Sequence, residues 1–466
     1  MKKITRGSSI TSLVLATMMI AGCGSSGSTG NSQTSSQPEA AKSAAPAATT
    51  AAPAAADKAA KISWWGAWNE DQGPGDMIKE FNKKFPNIKV EYVKFANTDE
   101  GNVKVDTSLI AGQEMDVFFN YGVPRVEARA KKKLLQDLTE FISKDKFDVE
   151  AELGKEIYKQ DGKYFGLPVS SLTDSVFINK KLLDEAGLPV PKSWSLDEYK
   201  EYAKKLTKGD GPARVYGTSD FHSLYYWTMP VRSVLGTNAW YNKDGASNFD
   251  YAGYKKALEF KFAMENVDKI QYPYTEIKST KAQVFDLFMQ KKTAMAVASN
   301  AISRFIGDTT QYPRDFITTV APLPTLEKDQ KQNLNNGLHY FGYLSMNPNT
   351  KEKEASWQFM KWLATEGSIH LAKVGHIPTW KKTNKDALVK VMFGEDADKK
   401  IDLEAFKRVV LDYDSVSYND TIFTGYAELN KLLQDEAEKA LFGVQKIDEA
   451  LANMKKKSDE AIKNSK

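Results

Sequence analysis

The residues of this 466-residue chain best able to do covalent or metal chemistry are few. There is one cysteine, Cys23, and there are four histidines, His222, His339, His370 and His376. A single cysteine excludes an intramolecular disulfide and any Cys-cluster metal site, and the histidines form no metal-ligand motif. There is no Gly-x-Ser-x-Gly elbow, no His-Glu-x-x-His and no P-loop. Asn242, Asp244 and Asp250 lack the full ligand set and closing Glu of a calcium loop, so neither a metal nor a cofactor is expected. Carboxylates are abundant, and a glycosidase-type pair stays open on sequence grounds. Two short clusters suggest non-covalent chemistry instead. Trp68-Asn69-Glu70-Asp71 sets an aromatic ring beside hydrogen-bonding groups, and Asn120-Tyr121 repeats the mixture. Such groups can hold a solute, and a polar group buried without a partner costs roughly 1–3 kcal/mol, which gives selectivity.

Both clusters fall where predicted strands end. Lys61-Ile62-Ser63-Trp64-Trp65 reads as a buried strand that stops at Gly66. Met77, Ile78, Phe81 and Phe85 come next at helical spacing, and Pro86-Asn87 ends that helix. Ile88, Val90 and Tyr92 alternate as a strand does. A second helix is expected over Val103 to Ala111 and a third strand at Met115–Phe119. This order predicts a parallel sheet with right-handed crossovers, whose ligands sit beyond the carboxyl ends of the strands. The loops Ala67–Gly75 and Asn120–Pro124 occupy those ends. Further on, Gly162–Pro168 reads as a turn and short strand, and Ser175–Ile178 as another strand. Ser195 and Glu198 form a capping box at a helix start, and Leu224 to Met289 is mostly helical.

The first 60 residues differ from the rest. None of the 23 Phe, 20 Tyr and 9 Trp lies there. Lys2, Lys3 and Arg6 precede a short apolar stretch, Ile10 to Ile20, too short and too broken to span a membrane. Ile20-Ala21-Gly22-Cys23 resembles the bacterial lipobox, which implies cleavage after residue 22 and lipidation of Cys23. Residues 23–60, rich in Gly and Ser and then in Ala, Pro and Thr, cannot bury a core and read as a disordered tether. The balance of 64 Lys+Arg against 60 Asp+Glu, net +4, shows no basic excess for nucleic acid. Loss of the three leader cations leaves the body nearly neutral, so a membrane would be held by lipid and not by a polybasic patch.

From residue 61 on, several segments match one family in order. Phe81-Asn82-Lys83-Lys84-Phe85-Pro86-Asn87-Ile88-Lys89-Val90, Asp161-Gly162-Lys163-Tyr164-Phe165-Gly166-Leu167-Pro168 and Asn179-Lys180-Lys181-Leu182-Leu183-Asp184-Glu185-Ala186-Gly187-Leu188, with Pro191 and Trp194, are three of them. Ala111-Gly112 to Val117, Lys291–Ala296 and Val320–Pro324 continue the series. The set resembles the extracellular solute-binding proteins of carbohydrate uptake, the maltose-binding-protein-like group. The resemblance implies an α/β, two-lobed periplasmic-binding-protein-like (Venus flytrap) fold with discontinuous lobes and a hinge. Lobe one would take 61–168 and 290–362, and lobe two 172–288 and 365–466, with a first crossing near Pro168–Leu172.

The resemblance also implies a function and extends the candidate site. A sugar offers apolar faces to Trp and Tyr and hydroxyls to Asn, Asp and Glu. The expected contacts are Trp68, Asn69, Glu70, Asp71, Asn120, Tyr121, Tyr226, Trp227, Asn300, His339, Tyr418, Asn419 and Phe423, with no catalytic residue. Ser299-Asn300-Ala301 stands where many relatives carry a Gly-x-Trp platform, so one usual stacking contact is absent. Trp68→Ala is expected to weaken binding without unfolding the chain. The partners implied are a carbohydrate, an oligosaccharide more than a monosaccharide, and the membrane subunits of an ABC permease, with a monomeric protein anchored at the outer face of the cell membrane. A non-sugar solute and a lipid-anchored carbohydrate-active enzyme are the alternatives.

Overall fold

The computed structural model describes residues 59–220, 224–328, 330, 339–412 and 420–465. Cys23, the expected tether, Tyr418 and Asn419 lie outside the described residues. His339 is placed in a strand, but its side chain also lies outside them. Among the described residues no helix is long and apolar enough to cross a membrane.

Among the described residues ten strands form two sheets. The first contains β1 (Ala60–Gly66), β2 (Ile88–Lys94), β3 (Val117–Tyr121), β4 (Leu167–Leu172), and, from later in the chain, β9 (His339–Met346) and β10 (Ile377–Pro378), in the order β10-β4-β9-β3-β1-β2. The second contains β5 (Asp174–Asn179), β6 (Tyr216–Ser219), β7 (Thr293–Ser299) and β8 (Thr318–Ala321), in the order β6-β7-β5-β8. The opening units are parallel as the sequence predicts: β1 pairs with β2 and β3 in parallel, with Trp64 opposite Tyr92 and Val117. The helix α1 (Pro74–Lys84) joins β1 to β2, and α2 (Asp99–Ile110) joins β2 to β3. Pro at the first position suits α1, and Met77 and Phe81, one turn apart, are both fully buried against the sheet. Antiparallel β9 then enters between β3 and β4, which makes this sheet mixed.

The second sheet departs from the expected lobe division. The expectation places β7 and β8 with lobe one, as part of 290–362. They pair instead with β5, Phe177 standing opposite Ala296 on one side and Val320 on the other. Only the later part of that stretch, β9 and the helix Lys353–Ala364, joins the first sheet and its core. The reason is physical. Both faces of β7 and β8 are buried throughout, so neither strand carries the alternation that would mark its partner.

Each sheet has its own core. Ile62, Trp64, Phe81, Phe119, Tyr343 and Phe359 belong to the first. Phe177, Phe288, Phe316 and Phe393 pack on one face of the second sheet, and Trp194, Tyr199 and Met295 on the other. The Ser195 cap forms as its spacing predicts: Ser195 Oγ accepts from Glu198 N at 3.3 Å, and Glu198 Oε2 accepts from Ser195 N at 2.9 Å.

One residue, Thr173, separates β4 in the first sheet from β5 in the second. Asn300, just after β7, clasps this crossing. Its main-chain N–H donates to Thr173 O at 2.9 Å, and its Oδ1 accepts from Thr173 N at 2.5 Å. Its Nδ2 donates to Gly375 O, where the chain passes on to β10. Gly375 has φ +80, and a Cβ there would lie 2.7 Å from Asn300 O and Ala301 Cα. Only glycine fits that position without strain.

Candidate functional site

The carboxyl end of β1 leads into the Trp68 loop, which two tyrosine hydroxyls hold in place. Tyr121 Oη accepts from Ala67 N at 2.8 Å, and Tyr92 Oη donates to Trp68 O at 2.8 Å. Burial pushes both phenols above their ordinary range, so they stay neutral donors and acceptors at physiological pH. The indole of Trp68 is 9% exposed. It meets Phe119, Tyr121 and His376 edge to face, with ring centroids 4.9, 5.4 and 5.3 Å away. Phe341, at the start of β9, extends the cluster to Tyr121 at 5.8 Å and His376 at 5.4 Å. His376 Nδ1 and Ser170 Oγ share a hydrogen bond of 3.1 Å, which ties the cluster to β4 just before the crossing.

Glu70 and Asp71 lie exposed on the short turn Glu70–Gln72 beside this aromatic floor. Asn69 is exposed as well, and its Oδ1 accepts from Lys94 Nζ at 2.5 Å. Asn120 is placed differently. Successive strand residues face opposite sides, so Asn120 turns away from the side shared by Phe119 and Tyr121. It is fully buried, donating to Ser345 Oγ at 2.8 Å and accepting from Arg129 at 2.5 Å. The carboxamide of Asn300 is likewise taken up by Thr173 and Gly375. Both asparagines therefore serve the framework in this conformation.

The second sheet presents a matching edge. β6 and β7 run parallel, and their carboxyl ends, with the start of antiparallel β5, lie at one side of the sheet. There Tyr226 Oη donates to Asp174 Oδ1 at 2.8 Å. Asp220, directly after β6, Tyr226 and Trp227 line a cavity of about 50 Å³. The two edges adjoin at the crossing: Ser170, bonded to His376, and Asp174, bonded to Tyr226, stand four positions apart on either side of Thr173.

Phe423, from the C-terminal part of the chain, packs against the first core. Its ring lies 6.2 Å from Tyr158 of the first core and 5.2 Å from Tyr426. Just before it, Asp420 pairs with buried Arg232 at 3.1 Å. The Asn242 loop forms a turn, Asn242 Oδ1 accepting from Asp244 N and Ala246 N, each at 3.0 Å. Among the described residues no group of three or more His, Cys, Asp or Glu is placed to hold a metal.

The structure thus gathers Trp68, Asn69, Glu70, Asp71 and Tyr121 on one edge and Tyr226 and Trp227 on the other. Phe341, His376, Asp174 and Asp220 join them, although sequence reasoning does not single them out. Asp220 had a usable signal, an acid at the carboxyl end of a strand, but β6 is only four residues long and is lost among loop residues. Phe341 and His376 had no local signal, because they come to Trp68 from β9 and from the residue before β10, more than 200 positions away.

Comparison with known proteins adds family information. A model of the bacterial extracellular solute-binding proteins matches residues 67–369. A maltotriose-binding protein from Pyrococcus abyssi is 24% identical over 326 residues, 69% of this chain and 66% of the relative. An arabinooligosaccharide-binding protein from Bacillus subtilis is 28% identical over 203 residues, 42% of this chain and 45% of the relative. The chain therefore spans less than two thirds of the length of these curated relatives. Among solved structures, an ABC substrate-binding protein from Listeria monocytogenes in complex with cycloalternan superposes with a TM-score of 0.69, covering 87% of this chain and 100% of that one at 23% identity. At that identity the likeness shows the fold, an α/β architecture of two lobes.

Proposed function

The chain belongs to the family of bacterial extracellular solute-binding proteins, and on that premise we propose that it captures a carbohydrate, an oligosaccharide, between its lobes and delivers it to the membrane permease of an ABC importer. The observation that carries this reading is the aromatic floor of Trp68, Tyr121 and Phe341 with Glu70 and Asp71 exposed at its rim. Rings suit the apolar faces of a sugar and acids suit its hydroxyls. The names of two relatives, which specify maltotriose and arabinooligosaccharides, support the same class.

In this reading the first lobe carries the six-stranded sheet and the second the four-stranded one. The second lobe thus takes β7 and β8 as well as the C-terminal helices. Thr173, Asn300 and Gly375 form the hinge between them. Ligand bound to both edges draws the lobes together, and it favours the closed form by its differential affinity for that form. The permease then distinguishes closed from open. Glu70, Asp71, Asn69, Tyr226, Trp227, Phe423, and His339, Tyr418 and Asn419 beyond the described side chains, are the proposed ligand contacts. The chain acts without catalysis, as a monomer, anchored outside the cell membrane by lipid on Cys23 at the end of a flexible tether.

A thermal-shift series with maltotriose, arabinotriose and non-sugar solutes tests the ligand class. A ligand at 100 times its Kd adds about 2.7 kcal/mol of stability. No shift with any sugar, together with a shift from a non-sugar solute, would overturn the carbohydrate reading. Chromatography of maltotriose after incubation tests the absence of catalysis: intact trisaccharide is expected, and released glucose or maltose would mean an enzyme. Radiolabelled palmitate incorporated by the native chain and lost in Cys23→Ser tests the anchor.

A further inference from the structure

The cavity at the carboxyl end of β6 has its own chemistry. Asp220 Oδ2 accepts from Lys261 Nζ at 2.8 Å and from Gln271 Nε2 at 3.0 Å. Lys261, only 4% exposed, also donates to Glu265 Oε1 at 2.8 Å. Asp220 is thus held rigidly through one oxygen, and its Oδ1 remains to accept a further bond. Trp227, also 4% exposed, lines the same cavity, and its indole N–H has no partner among the described residues. A buried N–H without a partner is costly, and it marks a place where a water or ligand atom belongs.

Three kinds of group could enter, and the donor–acceptor set separates them. An anion meets the Asp220 carboxylate, and the one ammonium in the lining, Lys261, is already shared between Asp220 and Glu265. A quaternary ammonium has no acceptor for the indole N–H and leaves it unsatisfied. A neutral hydroxyl accepts from Trp227 and donates to Asp220, so it alone satisfies both. A volume of about 50 Å³ holds a few waters or one hydroxymethyl arm, but not a sugar ring.

We propose that this cavity is a subsite for one neutral, hydroxyl-bearing arm of the bound solute, with Trp227 donating to that hydroxyl and Asp220 accepting from it. Lys261 and Gln271 are positioning residues that fix the carboxylate. This rests on the capture of a solute in the cleft and narrows its class to sugars and polyols with a free exocyclic hydroxyl.

The test uses the full chain carrying ¹⁵N in its tryptophan indoles, with the Trp227 signal identified by its loss in Trp227→Phe. Xylitol and maltotriose are expected to shift that signal, while tetramethylammonium and inorganic phosphate leave it unmoved. Trp227→Phe and Asp220→Asn should each weaken maltotriose binding by roughly 5- to 100-fold, the range for a lost buried hydrogen bond. If Asp220→Asn does not fold, Trp227→Phe, which keeps an aromatic ring, carries the affinity test. Normal maltotriose binding with an unmoved Trp227 signal and unchanged affinity in the variants would overturn the subsite and leave carbohydrate capture standing. A shift with xylitol but no binding of any oligosaccharide would support the subsite and sink oligosaccharide capture. A shift with phosphate or tetramethylammonium would overturn the hydroxyl assignment, and no shift with any probe would overturn the subsite outright.

Discussion

Trp68→Ala separates a ligand platform from a structural ring. From the sequence, Trp68 is a loop residue whose loss leaves the fold intact. In the structure its indole is 9% exposed and packs edge to face on Phe119, Tyr121 and His376. Truncating a buried Trp or Phe to Ala costs about 3–5 kcal/mol. Trp68 stands at the edge of the core, where water can enter the space left behind, so the lower end, about 3 kcal/mol, is expected. Trp68→Phe keeps a ring on the same three neighbours and should cost about 1 kcal/mol, while it shortens the face offered to a sugar. Urea unfolding monitored by circular dichroism gives the stability of each variant, and calorimetry with maltotriose gives its affinity. The Phe variant is the informative one, because it should remain folded and bind more weakly. An unchanged urea midpoint in Trp68→Ala would refute the argument that the ring belongs to the core. Unchanged affinity in Trp68→Phe would remove the indole face from the ligand site.

Three further outcomes are expected. Asn300→Ala leaves Thr173 N–H and Gly375 C=O unpaired at the crossing and should cost about 2–4 kcal/mol; amide exchange at Thr173 no faster than in the native chain would show that the clasp is dispensable. Gly375→Ala puts a Cβ 2.7 Å from Asn300 O at φ +80 and should cost more than about 2 kcal/mol, so a native melting temperature would contradict the strain. Glu436 is 1% exposed on the helix Tyr426–Leu441, and although burial pushes its carboxyl up, hydrogen bonds from Lys439, Lys457 and Gln445 hold it at about 2, below the ordinary 4.5. Because the folded-state value is lowered, the stabilisation is full above about pH 5 and is lost as pH falls toward 2. It amounts to about 3 kcal/mol before, and about 2 after, allowance for the half-exposed lysines. Acid unfolding curves of the native chain and Glu436→Gln should therefore converge at low pH and separate at neutral pH, and parallel curves would contradict the assignment.

Much of the fold was legible because its signals are local. The helix period of Met77 and Phe81, the alternation of Ile88, Val90 and Tyr92 and the Ser195 cap each depend on a few neighbouring residues and the backbone geometry they favour. The Trp68 loop was legible for the same reason: a strand that ends at Gly66 places the next few residues at a sheet edge. The partners of β7 and β8 were not legible. Strands buried on both faces fit either sheet until the whole chain is packed. Asn120 misled because β3 runs two residues past the expected end at Phe119, which puts Asn120 inside the strand with its side chain on the face opposite Tyr121.

The sequence by itself determined an α/β body, strand-end loops rich in aromatic and polar residues, and an aromatic-free leading segment with the only cysteine. Each of these is a matter of composition or short-range periodicity. Tertiary structure alone decided which sheet each late strand joins and that Asn300 clasps the Thr173 crossing. It also decided that His376 and Phe341 complete the Trp68 floor and that Lys261 fixes Asp220 in the cavity that Trp227 also lines. Those pairings depend on distances between residues tens to hundreds of positions apart, which no local pattern encodes.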